Sequence, residues 1–144
     1  MDLNILVIEE DLKELGFEDY IKRRGFKCIK LVKNNEKEIE KELRRIRDIN
    51  KKYWEIEDFI SFELKYCFKN GSPDFFIYKE DCFYICEFKS KNDNLRVNQI
   101  IWIKENPDIP ILIAICNPKN PLKDFKNLEF ETKHPFKNEE LKKV

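Results

Sequence analysis

Apolar residues along this chain fall into two rhythms, one of period two or continuous, the other helical. Ile5-Leu6-Val7-Ile8 is an unbroken apolar run of strand length, and residues 26–32 (Phe-Lys-Cys-Ile-Lys-Leu-Val) alternate as a half-buried strand does. Between them, residues 11–24 read as a helix. Gly16 lies inside that helix as a potential break, and Gly25 is placed to stop it. Residues 35–52 are densely charged, with Ile39, Leu43, Ile46 and Ile49 at helical spacing, a narrow apolar stripe on a polar rod. Two readings of this rod stay open: a solvated helix lying on a sheet, or an arm that forms a dimer.

Residues 53–68 fit a helix in their first half and a strand in their second, and Asn70-Gly71 marks a turn. Residues 95–105 carry apolar side chains almost all round (Leu95, Val97, Ile100, Ile101, Trp102, Ile103), which predicts a helix buried against a sheet. Residues 109–116 are continuously apolar, as expected of a buried central or parallel strand, with Pro110 near the start and Pro118 and Pro121 beyond the end. A short edge strand is predicted at residues 128–131.

The most informative stretch is residues 71–89, where Gly-Ser-Pro-Asp opens one apolar strand and Glu-Phe-Lys closes the next. Strand side chains alternate between faces, so Glu87 and Lys89 point the same way, roughly 6.5–7 Å apart along the strand. If the strands pair across Lys79-Glu80-Asp81, Asp74 returns beside Glu87. Two carboxylates and an ammonium then converge at one end of a sheet. Carboxylate oxygens suit Mg²⁺ or Mn²⁺, ions that promote phosphodiester hydrolysis. The plainer reading makes Asp74 a turn cap and Glu87–Lys89 an exposed ion pair worth under about 1 kcal/mol. That reading fits Glu87 poorly, because Phe83, Tyr84, Ile85, Cys86 and Phe88 surround it with apolar sequence. A carboxylate at the end of a buried strand needs a partner or a metal.

A chain of 144 residues, with 39% charged and 13% aromatic residues, is expected to fold as one domain with a real core. Its 28 basic and 28 acidic side chains cancel, which argues against a general cationic coat of the histone-like kind, so nucleic-acid binding has to come from local patches. The start lacks the pattern of a signal peptide and no apolar run reaches membrane-span length, so a cytoplasmic location is expected. The five cysteines (Cys28, Cys67, Cys82, Cys86, Cys116) form no CxxC pair and mostly sit in strand-like sequence. They are expected to be reduced core thiols. His134 lies far from any paired cysteine, which excludes a structural zinc site.

Taken together, residues 70–116 resemble the PD-(D/E)xK nuclease superfamily, in its VRR-NUC and Holliday-junction-resolvase-like branch, where a Gly-x-Pro-Asp turn precedes a Glu-x-Lys strand. The resemblance implies a single-domain α/β fold over residues 1–144. Its restriction-endonuclease-like αβββαβ core would be a central mixed sheet flanked by helices, with residues 35–52 as a charged insertion. It implies that Asp74 and Glu87, with the Phe88 carbonyl, bind Mg²⁺ (or Mn²⁺), and that Lys89 orients water and stabilises charge on the phosphate. Gln99 matches the helix glutamine of this branch, and Arg96 and Lys91 become candidate phosphate contacts. A further glutamate on the first helix is expected. Glu18 is favoured and Glu14 comes next, with Glu57 and Glu63 as alternatives. The implied activity is Mg²⁺-dependent DNA endonuclease action, with branched or flapped DNA as candidate substrates. Two alternatives stand beside it: a homodimeric Holliday-junction resolvase, and a non-catalytic nucleic-acid-binding subunit that keeps the fold.

Overall fold

The β-branched and aromatic runs become strands, and the computed structural model shows how they assemble. It describes residues 2–53, 73–91, 93, 95–106, 109–116 and 131–132. The expected Asn70-Gly71 turn and the alternatives Glu57 and Glu63 lie outside the described residues, as does nearly all of the ambiguous 53–68 segment. The elements run β1 (Asp2–Ile8), α1 (Glu14–Arg23), β2 (Lys27–Lys30), α2 (Glu36–Ile49), β3 (Phe75–Tyr78), β4 (Phe83–Lys89), α3 (Val97–Glu105), β5 (Ile111–Cys116) and β6 (Glu131–Thr132).

The strands form one mixed sheet in the order β2-β3-β4-β5-β1-β6. β2, β3 and β4 run antiparallel in sequence, while β4, β5, β1 and β6 are mutually parallel. The chain is therefore an α/β fold. β1 lies beside β5 rather than next to β2, because α1 carries the chain from one side of the sheet to its far edge. Of the edge strand expected at residues 128–131 only Glu131 is among the described residues; it begins β6, a two-residue parallel pairing beside β1. Among the described residues no helix is long and apolar enough to cross a membrane.

Alternation along the strands sorts the core into two clusters. Phe76, Tyr78, Phe83, Ile85, Ile111 and Ile113 face α2 and α3, which contribute Ile39, Leu43, Ile46, Trp102 and Ile103. Phe75, Ile77, Cys86, Leu112 and Ala114 face the other way, onto Phe17, Tyr20 and Ile21 of α1. All six residues of β5 are buried, as its unbroken apolar sequence predicts for a strand covered on both faces.

Gly16 does not break α1. Gly25 ends it at φ 85°, where its N–H bonds the Lys22 carbonyl at 3.0 Å and the Phe26 N–H bonds the Ile21 carbonyl at 3.3 Å. Those two bonds make a Schellman cap that satisfies the last carbonyls and turns the chain into β2.

The charged rod packs on the sheet through Ile39, Leu43 and Ile46, while Ile49 is exposed. Its Arg45 grips the β3–β4 turn, donating to the carbonyls of Glu80 at 2.7 Å and Lys79 at 3.1 Å, and Asn50 donates to that of Asp81 at 3.0 Å.

One expectation needs correcting. α3 is not buried all round: Trp102 and Ile103 face the core, but Val97 is 73% and Ile101 47% exposed. A nine-residue helix on one sheet face can bury only one stripe, whatever its composition.

Phe17 ties α1 to the strands, fully buried with its ring 4.6 Å from Phe88 and 5.5 Å from Phe75. Phe17→Ala is expected to cost about 3–5 kcal/mol in urea unfolding, from lost burial plus a cavity. A loss below about 1 kcal/mol would mean that α1 is not docked in this way.

Candidate metal and catalytic cleft

The antiparallel register Phe75↔Cys86 continues one step beyond β3 to set Asp74 opposite Glu87. The backbone fixes Asp74 there: its N–H bonds the Cys86 carbonyl at 2.9 Å, and its own carbonyl accepts the Leu31 N–H at 2.8 Å. Its side chain accepts a third bond, from the Phe88 N–H to Oδ2 at 3.0 Å. A strand residue presents its N–H and C=O toward the same edge, so the Phe88 carbonyl is also directed toward the Asp74 side, past the start of β3.

Glu87 and Lys89 lie on the α3 face of β4, and both are deeply buried, at 3% and 5% exposed. The two meet at 3.4 Å (Nζ to Oε1). Gln99 at the start of α3 holds them: its amide Nε2 donates to Glu87 Oε1 at 2.9 Å, and its Oε1 accepts Lys89 Nζ at 2.7 Å. The same Oε1 accepts the Arg96 N–H at 2.9 Å, closing the first turn of the helix. A single amide thus fixes a carboxylate, an ammonium and a helix terminus.

The other Glu87 oxygen, Oε2, is buried with no hydrogen-bond partner. The Asp74 carboxyl lies close enough to share a hydrogen bond with Glu87 when one of the two is protonated, but when both are ionised neither has a hydrogen to offer. Loss of water, followed by the Asp74 charge, pushes the Glu87 pKa from 4.5 up to about 8, with Lys89 partly offsetting both. Asp74 is also raised, chiefly by desolvation, although the Phe88 N–H pulls the other way. Two crowded carboxylates, one with a dry unsatisfied oxygen, need a proton or a cation between them.

These groups open into a cleft of about 290 Å³ lined by Asp74, Glu87, Phe88, Lys89, Gln99 and Arg96, together with Lys13, Glu14, Ser90 and Asp93. Four carboxylates thus face three basic side chains, a local acid surplus in a chain whose net charge is zero. Asp74 and Glu87 fit a divalent cation by their oxygen chemistry. Among the described residues no group of three or more His, Cys, Asp or Glu is assembled to hold a metal, so the remaining ligands would be carbonyl, phosphate or water oxygens.

Of the residues marked in the sequence, the structure brings together Asp74, Glu87, Phe88, Lys89, Arg96 and Gln99. Lys91 is exposed and does not line the cleft. Glu18 does not line it either; its charge bears on Cys28 of β2 instead. The α1 carboxylate at the cleft is Glu14, about one turn earlier, whose Oε1 pairs with Lys30 at 3.1 Å and holds that ammonium above its ordinary pKa. Lys13, Ser90 and Asp93 carried no signal in the sequence. Ser90 Oγ donates to Asp93 Oδ2 at 2.7 Å, which ties together two residues of the cleft wall.

The cysteines of the described residues offer no competing chemistry. The four in the described residues are free, and burial pushes the Cys28 thiol up to about 12 and Cys86 well above its usual value, so neither is a ready thiolate. No family model, curated protein or solved structure matches the chain.

The raised pKa of Glu87 makes a signed prediction. The folded state favours protonated Glu87, so its contribution to stability is full below about 4.5 and is lost as the pH rises through about 8. In buffer free of divalent ions, the stability difference between wild type and Glu87→Gln should therefore move against wild type between about pH 5 and 9, by a few kcal/mol. A difference that does not change with pH would place this carboxyl in water.

Proposed function

We propose that this chain is a Mg²⁺-dependent DNA endonuclease of the PD-(D/E)xK kind. The observation that carries the reading is the dry, unpartnered Oε2 of Glu87 beside Asp74, with Lys89 held against the same carboxylate by Gln99. The element order α1-β2-β3-β4-α3-β5 supports it, being the helix, three strands, helix and strand of the αβββαβ core, with α2 as the insertion.

Asp74 and Glu87 would hold the ion, with the Phe88 carbonyl as a further oxygen. The ion would supply charge neutralisation at the phosphate and a more acidic water. The chain's own groups do the rest. Lys89, fixed by Gln99, sets a positive charge where an attacking water and a phosphate oxygen would meet, stabilising the negative charge that grows there. Gln99 keeps Lys89 from collapsing fully onto Glu87, because one amide bonds both. Arg96, at the head of α3 and on the cleft wall, is placed to contact a phosphate and so to position the strand without reading its sequence. Branched or flapped DNA is the substrate class we favour. A two-fold dimer resolving four-way junctions is the variant of this reading that adds a second cleft. Free cysteines accord with a cytoplasmic site of action.

The zero net charge favours one other reading, a non-catalytic subunit that keeps the fold. Cleavage of labelled duplex, flap and four-way DNA with Mg²⁺ separates the two. Glu87→Gln is expected to abolish cleavage while folding and DNA binding persist. Lys89→Ala is expected to lower the rate by at least about 10²-fold. Equal cleavage by wild type and Glu87→Gln would remove this site from the reaction.

A further inference from the structure

The cleft has a neighbour. A second groove, of about 370 Å³, shares Glu14 and Asp74 with it and adds Lys30, Val32, Lys33 and Pro73. Asp74 and Glu14 are therefore a ridge inside one longer trough rather than its end. The trough follows the sheet order: β2 leads into Lys33, then come Asp74 before β3, Glu87 and Lys89 on β4, and Arg96 at the head of α3.

The wall of this second groove is fixed to the cleft. The Leu31 N–H bonds the carbonyl of Asp74 itself at 2.8 Å, and the Val32 N–H bonds the Lys30 carbonyl at 2.9 Å. Asn35 Nδ2 also reaches the Lys30 carbonyl, at 2.9 Å. Segment 30–35 is thus stapled to the residue that forms the ridge. Its side chains suit a sugar–phosphate strand. Val32, 45% exposed, gives an apolar surface, while Lys33 is exposed with no hydrogen bond or ion pair engaging its ammonium among the described residues. Lys30 is paired with Glu14 and remains about half exposed.

On the nuclease reading above, we infer that the nucleic-acid strand cut over Asp74 and Glu87 continues into this groove, where Lys33, with Lys30 beside it, binds backbone phosphate on one side of the scissile bond. Arg96 lies toward the other end, so the strand is held from both sides of the cut by charges that carry no sequence information. Lys33 acts on binding, with no place at the reacting atoms.

The test uses the full chain in its Glu87→Gln form, with fluorescently labelled duplex and flap DNA titrated at several salt concentrations. Adding Lys33→Gln should reduce the slope of log affinity against log salt by about one, and Lys30→Gln with Lys33→Gln by about two. At moderate salt the double variant should bind roughly tenfold more weakly, and Lys33→Arg should keep the parent slope. With Glu87 intact, Lys33→Gln should raise KM more than it lowers kcat. If the parent binds DNA and neither slope changes, the groove is off the strand's path and the nuclease reading survives. If wild type cleaves none of these substrates and the Glu87→Gln protein binds none, that reading fails and takes this inference with it.

Discussion

Everything near the cleft depends on one constraint: a carboxylate is held at the dry end of a strand with only half of its oxygens satisfied. β4 is paired along one edge by β5 through Glu87 itself and along the other by β3 up to Cys86, so the backbone that carries Glu87 is held in the sheet. Left alone it would be protonated, and it is indeed pushed to about 8. Retaining such a group costs stability, since burying unpaired charge is unfavourable and a buried ion pair returns only part of that cost. A strongly shifted carboxyl in a cleft is the physical ground on which the catalytic proposal rests.

Gln99 shows how the arrangement is kept from collapsing. Without it, Lys89 and Glu87 would be free to close into a tight pair and leave the cleft electrostatically quiet. Because its amide bonds both, and its oxygen also takes the Arg96 N–H, the spacing of the charged groups is set by a helix end rather than by flexible side chains. The polar network is nearly complete, and its one gap is at Oε2.

Much of this was readable in the residues. Strand alternation alone puts Glu87 and Lys89 on one face, and counting back across the Lys79-Glu80-Asp81 turn puts Asp74 opposite Glu87. Among the described residues the boundaries of helices and strands moved by only a few positions, as in α1, which begins at Glu14 rather than near residue 11. Other features depend on three-dimensional facts that no periodicity carries. Whether Glu14 or Glu18 reaches the cleft is decided by how α1 crosses the sheet, because Glu14 heads the helix and Glu18 sits over β2. The all-round apolar pattern of α3 likewise hides which stripe the sheet covers. Nor does any local signal put β1 beside β5, a pairing across more than a hundred residues.

The grip of Arg45 and Asn50 on the β3–β4 turn has a reach that is easy to overlook. Pairing in a sheet is discrete, and a slip by one residue would send Asp74 to the α1 face, where it would meet Phe17 rather than Glu87. The turn is where such a slip would have to start, roughly 15 Å of strand away from the cleft. By clamping three successive carbonyls there, α2 works as a registration pin for the distant carboxylate pair. The charged helix between β2 and β3, which looks from its composition like surface decoration, is thereby part of what keeps two acids face to face.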